Sequence, residues 1–168
     1  MKSFFKNYID KTYKEMRNKN LLFKEGEKLL YTAPVKEIVS GDAVTAPLDI
    51  SIKEAAGLMS HYRISSLVLI DATDVPVGII TDKDLRGKVV AKAMDYTAPV
   101  KEVMSSGLVT VNAQSTCFDA LSTMIRHNIH HLLVTEDNAL SGILTNHDFM
   151  LLQGISPLSI LKNIDRQK

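Results

Sequence analysis

The chain says the same thing twice. Thr32–Val39 reads TAPVKEIV and Thr97–Met104 reads TAPVKEVM, an offset of 97 − 32 = 65 residues. The offset holds for Val44-Thr45 against Val109-Thr110, Ala55 against Ala120, Met59 against Met124 and Ile64 against Ile129. After one gap it becomes 64, and Gly78-Ile79-Ile80-Thr81-Asp82-Lys83-Asp84 meets Gly142-Ile143-Leu144-Thr145-Asn146-His147-Asp148. Tandem self-similarity on this scale means two copies of one folding unit. Each copy is about 60 residues, near the lower limit for independent stability. The two are therefore expected to share a core as a pseudo-twofold pair, with paired surfaces or clefts between them.

Both copies follow one grammar. Pro34 or Pro99 opens a short helical turn, where a missing N–H costs nothing. A short extended piece follows, Ala43–Ala46 or Leu108–Val111. Ser51 or Ser115 is expected to cap a helix, Ile52–Tyr62 or Thr116–Asn128. The apolar runs Leu67–Ile70 and Leu132–Thr135 are too short for helices and rich in strand formers. A polar turn leads to a second strand, Pro76–Ile80 or Leu140–Leu144, so that each pair should form a hairpin. A second helix starts at Thr-x-x-Asp. The order is β-α-β-β-α, twice, an α+β fold whose near-continuous apolar strands imply sheets covered by helices on at least one face. The expected divisions are a basic helical lead-in at 1–31, copies at 32–96 and 97–153, and a C-terminal helical connection at 154–168. Gly154 and Pro157 mark the last break, and the connection reads as leading to a further domain.

Within the lead-in, Phe4, Phe5, Tyr8, Ile9, Tyr13 and Met16 follow roughly helical spacing with lysines between them. This amphipathic segment is expected to dock on the repeats, on a second subunit or on another domain. Residues 1–32 hold eight Lys/Arg and four Asp/Glu, a balance of 8 − 4 = +4, while the remainder holds twelve and fifteen, a balance of 12 − 15 = −3. The basic segment reads as a solvated linker helix, with nucleic acid or an acidic protein as the rival partner. Cys117 is the only cysteine, so there is no internal disulfide and no cysteine-built zinc site. That fits a reducing compartment. No run reaches the roughly 18 apolar residues of a membrane span, and the first ten residues lack the apolar stretch of a signal peptide. The cytoplasm is the expected location. No catalytic triad, P-loop or other catalytic constellation emerges, so the expectation is a binding protein and not an enzyme. His127, His130 and His131 have neither cysteines nor clustered carboxylates near them to make a metal site.

Thr81 with Asp84, and Thr145 with Asp148, fit the capping-box pattern of a threonine followed three residues later by a carboxylate. The same geometry suits a ligand. A helix start favours phosphate, the hydroxyl adds a hydrogen bond, and the carboxylate can accept both hydroxyls of a ribose. Capping and binding do not exclude each other. Gly78 and Gly142 permit close backbone approach nearby.

The unit that ends in Gly-h-h-Thr-x-x-Asp resembles the cystathionine-β-synthase (CBS) domain, and its tandem duplication resembles the regulatory CBS pair, or Bateman module. The residues that carry this are His61–Leu85, HYRISSLVLIDATDVPVGIITDKDL, and His127–Phe149, HNIHHLLVTEDNALSGILTNHDF. The resemblance covers about Thr32 to Gln153. The phrases ISSLVLID, GIITDKDLR, HNIHHLLV and QGISPLSIL further resemble bacterial signalling proteins that join a cyclic-nucleotide-binding domain, a CBS pair and a nucleotidyltransferase-like domain. Val68 and Leu133 stand where family members often carry proline.

The resemblance implies a regulatory module that binds adenosine nucleotides, AMP, ADP or ATP, and modulates an attached or partner domain. It also implies a homodimer. The alternative is a ligand-free dimerisation module of a larger signalling protein. By resemblance, Thr81, Asp84, Thr145 and Asp148 hold the nucleotide. Val44, Thr45, Ile64, Val109, Thr110 and Ile129 stand where the family builds its base slot, with core packing as their other role. His130 and His131, which follow Ile129, stand where a basic residue often meets phosphate. Ser65 and Ser66 hold those places in copy one, so one cleft is expected to suit extra negative charge. Strand alternation is expected to send the two histidines to opposite faces. Lys83 and Arg86 can reach phosphate from the helix start, or simply stay in solvent.

Overall fold

The computed structural model describes residues 32–39 and 42–152. The lead-in and the C-terminal connection lie outside the described residues. Copy one runs β1 (Thr45–Pro47), α1 (Ile52–Tyr62), β2 (Ser66–Ile70), β3 (Pro76–Thr81) and α2 (Asp82–Asp84). Copy two runs β4 (Thr110–Asn112), α3 (Cys117–His127), β5 (His131–Glu136), β6 (Ala139–Thr145) and α4 (Asn146–Leu152). This is the tandem β-α-β-β-α order read from the sequence. The second helix of copy one is irregular: α2 continues as a π-helix over Leu85–Val89 and a 3-10 turn over Val90–Lys92.

Each copy builds one three-stranded sheet, β1-β2-β3 or β4-β5-β6. The outer strand β1 is parallel to β2, with α1 as the crossover, and β3 returns antiparallel as the expected hairpin. The register sets the last residue of the returning strand opposite the first residue of the central one, Thr81 against Ser66 and Thr145 against His131. The start of the second helix is thus held beside the entry to the buried strand. Asp82 N–H donates to Ser65 O at 3.1 Å, and Asn146 N–H to His130 O at 3.4 Å.

The first helix of each copy is capped from the sequence. At α1, Ser51 Oγ accepts from Glu54 N–H at 3.1 Å, and Glu54 Oε2 accepts from Ser51 N–H at 2.8 Å, closing a capping box. In copy two the cap is Thr116 and not Ser115: Thr116 Oγ1 accepts from Asp119 N–H at 3.1 Å, and α3 begins at Cys117. The repeat explains the correction, since Ser51 shifted by 65 falls on Thr116. Both helices end on a left-handed residue, Arg63 with φ 55° and Asn128 with φ 52°.

The middle of each central strand, Leu67–Leu69 or Leu132–Val134, is apolar at consecutive residues because both of its faces are covered. Leu67 and Leu69 of β2 point into copy one's core with Ile52, Ala55 and Met59 of α1 and Ile80 of β3. Leu132 and Val134 of β5 make the same core in copy two with Cys117, Ala120, Met124 and Leu144. The alternate residues Val68 and Leu133, also buried, look the other way, into the space between the copies.

The opening TAPVKE peptides pack crosswise with respect to the sequence repeat. Val35, fully buried, sits in the core of copy two. Its N–H donates to Ser115 O at 2.8 Å, and Cys117 N–H donates to Ala33 O at 2.9 Å. The equivalent Val100 and the neighbouring Val103 are buried in the core of copy one. Val100 N–H donates to Ile50 O at 2.8 Å, and Ile52 N–H to Ala98 O at 2.9 Å. The peptide that opens each repeat therefore completes the other copy's core, which ties the two sheets into one body.

Candidate functional site

Two cavities lie between the copies, and each takes one wall from either copy. The first, about 580 Å³, is lined by Thr81 and Asp84 of copy one and by Val109, Ile129 and Leu133 of copy two. The second, about 410 Å³, reverses this: Thr145 and Asp148 come from copy two, and Val44, Ile64 and Val68 from copy one. Both volumes are of the size that holds small ligands. Each Thr-x-x-Asp thus faces the apolar slot of the opposite copy, a pairing that a one-dimensional repeat does not reveal.

The capping box of Thr-x-x-Asp is complete in copy one, and in copy two Asp148 reaches back to Thr145 in the same way. Asp84 Oδ2 accepts from Thr81 N–H at 3.0 Å and from Thr81 Oγ1 at 2.6 Å. Asp148 Oδ2 accepts from Thr145 N–H at 2.7 Å and from Thr145 Oγ1 at 2.8 Å. These bonds fix each carboxylate at its cavity wall. They also change the expected role of the helix start. With Asp82 N–H bonded to Ser65 O, and Asp84 N–H to Thr81 Oγ1 at 3.4 Å, much of the first turn's donor capacity is already used. Positive charge for an anion must come chiefly from side chains.

The first cavity is the one that supplies them. Lys83, Arg86, His130, His131 and His147 line it, against Asp82 and Asp84. The second holds Arg63 and His147 against Asp42 and Asp148. Both histidines reach the first cavity. Alternation does not separate them, because β5 begins at His131 and leaves His130 in the preceding turn. His131 Nε2 lies 2.8 Å from Ser65 Oγ across the boundary between the copies. Burial, helped by the charge of His130, pushes the His131 ring below its ordinary value, while Asp82 and Asp84 pull it back up. Ser65, Thr145 and His147 line both cavities, so the two sites share a wall. Ser66 lines only the second. Thr45 and Thr110 are exposed on outer strands and line neither.

Sequence reading missed two residues at Asp84. Lys88 Nζ lies 2.7 Å from Asp84 Oδ1, and Ser105 Oγ donates to the same oxygen at 3.3 Å. Burial pushes the Asp84 carboxyl up, but the hydrogen bond and charge of Lys88 and the bonds from Thr81 outweigh it and hold the group below the usual carboxylate range. Lys88, four residues beyond Asp84, is at the spacing where oppositely charged helical side chains meet, so it was open to view. Ser105 arrives from copy two, immediately after its TAPVKEVM turn, where its N–H donates to Ile79 O at 2.8 Å and its O accepts from Ile79 N–H at 3.0 Å. Gly78 leaves room beside it for the Met104 side chain, which lies where a Cβ would fall.

The comparisons with known proteins agree with this architecture. Residues 35–91 and 100–153 match the family pattern of the CBS domain. The CBS domain-containing protein YhcV of Bacillus subtilis is 32% identical over 135 residues, covering 79% of this chain and 96% of YhcV. The inosine-5′-monophosphate dehydrogenase of Methanocaldococcus jannaschii is 33% identical over 115 residues, 68% of this chain but only 22% of the enzyme. Among solved structures, the CBS domain protein from Pyrobaculum aerophilum complexed with AMP superposes with a TM-score of 0.65 at 27% identity, covering 68% of this chain and 88% of that one. The CBS domain pair of protein MJ0100, in complex with 5′-methylthioadenosine and S-adenosyl-L-methionine, gives a TM-score of 0.67 at 30% identity over 73% of this chain and 97% of that one. With two matched units, two crosswise cores and two clefts between them, the chain belongs to the CBS domain family as a tandem pair, a Bateman module.

Proposed function

We propose that this CBS pair is a regulatory module that binds adenosine ligands of the AMP, ADP or ATP type in the clefts between its copies. It is a binding module with no catalytic role of its own, and it modulates an attached or partner domain. The observation that carries the reading is the build of each cleft: a fixed carboxylate at a strand–helix junction faces an apolar slot from the other copy. The carboxylate suits a ribose and the slot suits a base. The bound AMP, methylthioadenosine and S-adenosyl-L-methionine of the two structural relatives support the same ligand class. The basic lining of the first cleft favours phosphorylated ligands there. Binding acts on an attached domain only through a difference in affinity between conformations. The resemblance favours cyclic-nucleotide-binding and nucleotidyltransferase-like neighbours for that role, and a cytoplasmic location. A homodimer is supported by the exposed Tyr62 and Ile125, 53% and 49% accessible near the ends of α1 and α3.

Calorimetry and thermal-shift titration with AMP, ADP, ATP and S-adenosyl-L-methionine test the reading. Binding of at least one is expected, with Asp84→Asn or Asp148→Asn weakening it. No heat and no shift with any of the four would sink it, leaving the ligand-free dimerisation module.

A further inference from the structure

The Asp84 carboxylate is fully subscribed. An ionised carboxylate offers about four lone-pair positions on its two oxygens. Thr81 N–H and Thr81 Oγ1 occupy Oδ2, and Lys88 Nζ and Ser105 Oγ occupy Oδ1. A ribose diol that approaches Asp84 from the cavity finds no vacant acceptor. It must displace either the threonine cap, which holds the helix start, or the Lys88–Ser105 pair.

Lys88 is not a loose surface ammonium. Its Nζ also donates to Val103 O at 2.7 Å and to Met104 O at 3.3 Å, and lies 3.3 Å from Ser105 Oγ. These acceptors belong to the end of copy two's TAPVKEVM turn and the residue that follows it. The ammonium is therefore held by backbone acceptors as well as by Asp84, and its side chain is 38% accessible. The copies differ here in sequence. Lys88 shifted by 64 falls on Leu152, so no cation stands at the matching position of the second Thr-x-x-Asp helix.

We infer that Lys88 is the specificity-determining residue of the first cleft: a built-in competitor for the ribose-binding carboxylate, which makes that cleft discriminate against uncharged adenosine and in favour of its phosphorylated forms. This deepens the proposed adenosine-ligand binding and rests on it. A neutral nucleoside that displaces Lys88 breaks an ion pair and gains in exchange only the hydrogen bonds from its hydroxyls to the carboxylate. A nucleotide breaks the same bond but brings an anion to Lys83, Arg86 and the histidines that line the same cavity, which offsets the loss. The discrimination lies in the competitor as much as in the basic lining, and the two are separable by mutation.

Amide NMR titration of the intact chain with adenosine and with AMP resolves the clefts. Gly107 and Leu108 report on the first, and Asp42 and Ala43 on the second. In the wild type, AMP is expected to shift the Gly107 and Leu108 signals at lower concentration than adenosine does. Lys88→Met is expected to raise adenosine affinity at the first cleft by about 1.5- to fivefold, the range of a partly exposed ion pair, and to leave the second cleft unchanged. Lys88→Arg, which keeps the charge, is expected to keep adenosine weak. Ser105→Ala, which removes one donor from the same oxygen and keeps the cation, is expected to raise adenosine affinity less than Lys88→Met does. Unchanged or weakened adenosine binding at the first cleft in both Lys88→Met and Ser105→Ala, with the second cleft still binding, overturns the role of Lys88 alone. A chain that binds neither ligand at either cleft overturns the proposed function with it.

Discussion

The two clefts are made from the same parts and are not the same site. Both set a Thr-capped aspartate opposite an apolar slot, and both take their walls from different copies. The first surrounds its aspartate with Lys88 and Ser105 and lines its mouth with three histidines, a lysine and an arginine. The second has Arg63 and His147 as its basic groups. Duplication preserved the backbone hydrogen bonds, the caps and the cores, where a change costs stability. The copies diverged where side chains face the shared space, at Ser65-Ser66 against His130-His131 and at Asp82-Lys83 against Asn146-His147. The pair therefore keeps one scaffold and offers two binding environments.

The largest test of this comparison strikes the part that is held equal. Val35 and Val100 occupy the same place in the repeat, and each is fully buried in the core of the copy it does not open. Val35→Ala and Val100→Ala are each expected to cost about 2 kcal/mol, from two buried methyl groups and the cavity left behind. Chemical denaturation of the two variants should show equal losses. A cost for Val100 alone would break the symmetry of the crosswise packing.

A smaller effect sharpens the comparison at the helix starts. Thr116→Ala and Ser51→Ala should each lose about 1 kcal/mol as N-caps, whereas Ser115→Ala should stay within a few tenths of the wild type. Thermal melting of the three single variants checks this. Equal losses at Ser115 and Thr116 would contradict the cap seen at α3.

The smallest effect separates the copies by pH. His131 has its folded value pushed down, first by burial and then by His130, against the opposing pull of Asp82 and Asp84. The unfolded chain then binds a proton before the folded one does. His131 contributes its full stability above the ordinary imidazole value, and that contribution is lost as pH falls below about 6.5. Copy one has Ser66 at the matching position and no such step. Urea midpoints followed from about pH 7.5 to about pH 5.5 should fall less in His131→Gln than in the wild type. Asp84, whose folded value is also depressed, adds its own loss only further down, through the carboxylate range. An unchanged slope in the variant would show that His131 does not titrate in this window.

Much of this was legible in the chain. The β-α-β-β-α order, the hairpins, the capping box at Thr81 and the cap at Ser51 all depend on neighbours a few residues away, where spacing carries the information. The Thr116 cap was legible too, because the 65-residue offset points to it directly. What stayed hidden depends on partners far along the chain. Nothing local tells Val35 that it belongs with Cys117, or Thr81 that it faces Ile129. The regular helix expected after Thr81 becomes a π-helix and a 3-10 turn over Leu85–Lys92, a departure that apolar spacing does not signal. The rule that alternation separates His130 from His131 failed because the strand starts one residue too late for it to apply.

The crosswise peptides also give the molecule an order of assembly. Copy one's core draws on residues from Ala46 to Val103, one unbroken stretch. Copy two's core needs Val35 as well as residues from Val111 to Phe149, with copy one lying between them in the chain. Val35 and Cys117 are 117 − 35 = 82 residues apart, and such distant pairings form late because loop closure must come first. A chain emerging from the ribosome can complete its first half while the Thr32–Val39 peptide waits for a partner not yet made. The same order is expected on refolding. In pulsed hydrogen exchange the Val100 amide, bonded to Ile50, should become protected before the Val35 amide, bonded to Ser115. The last peptide to find its place is then one translated before either core that surrounds it.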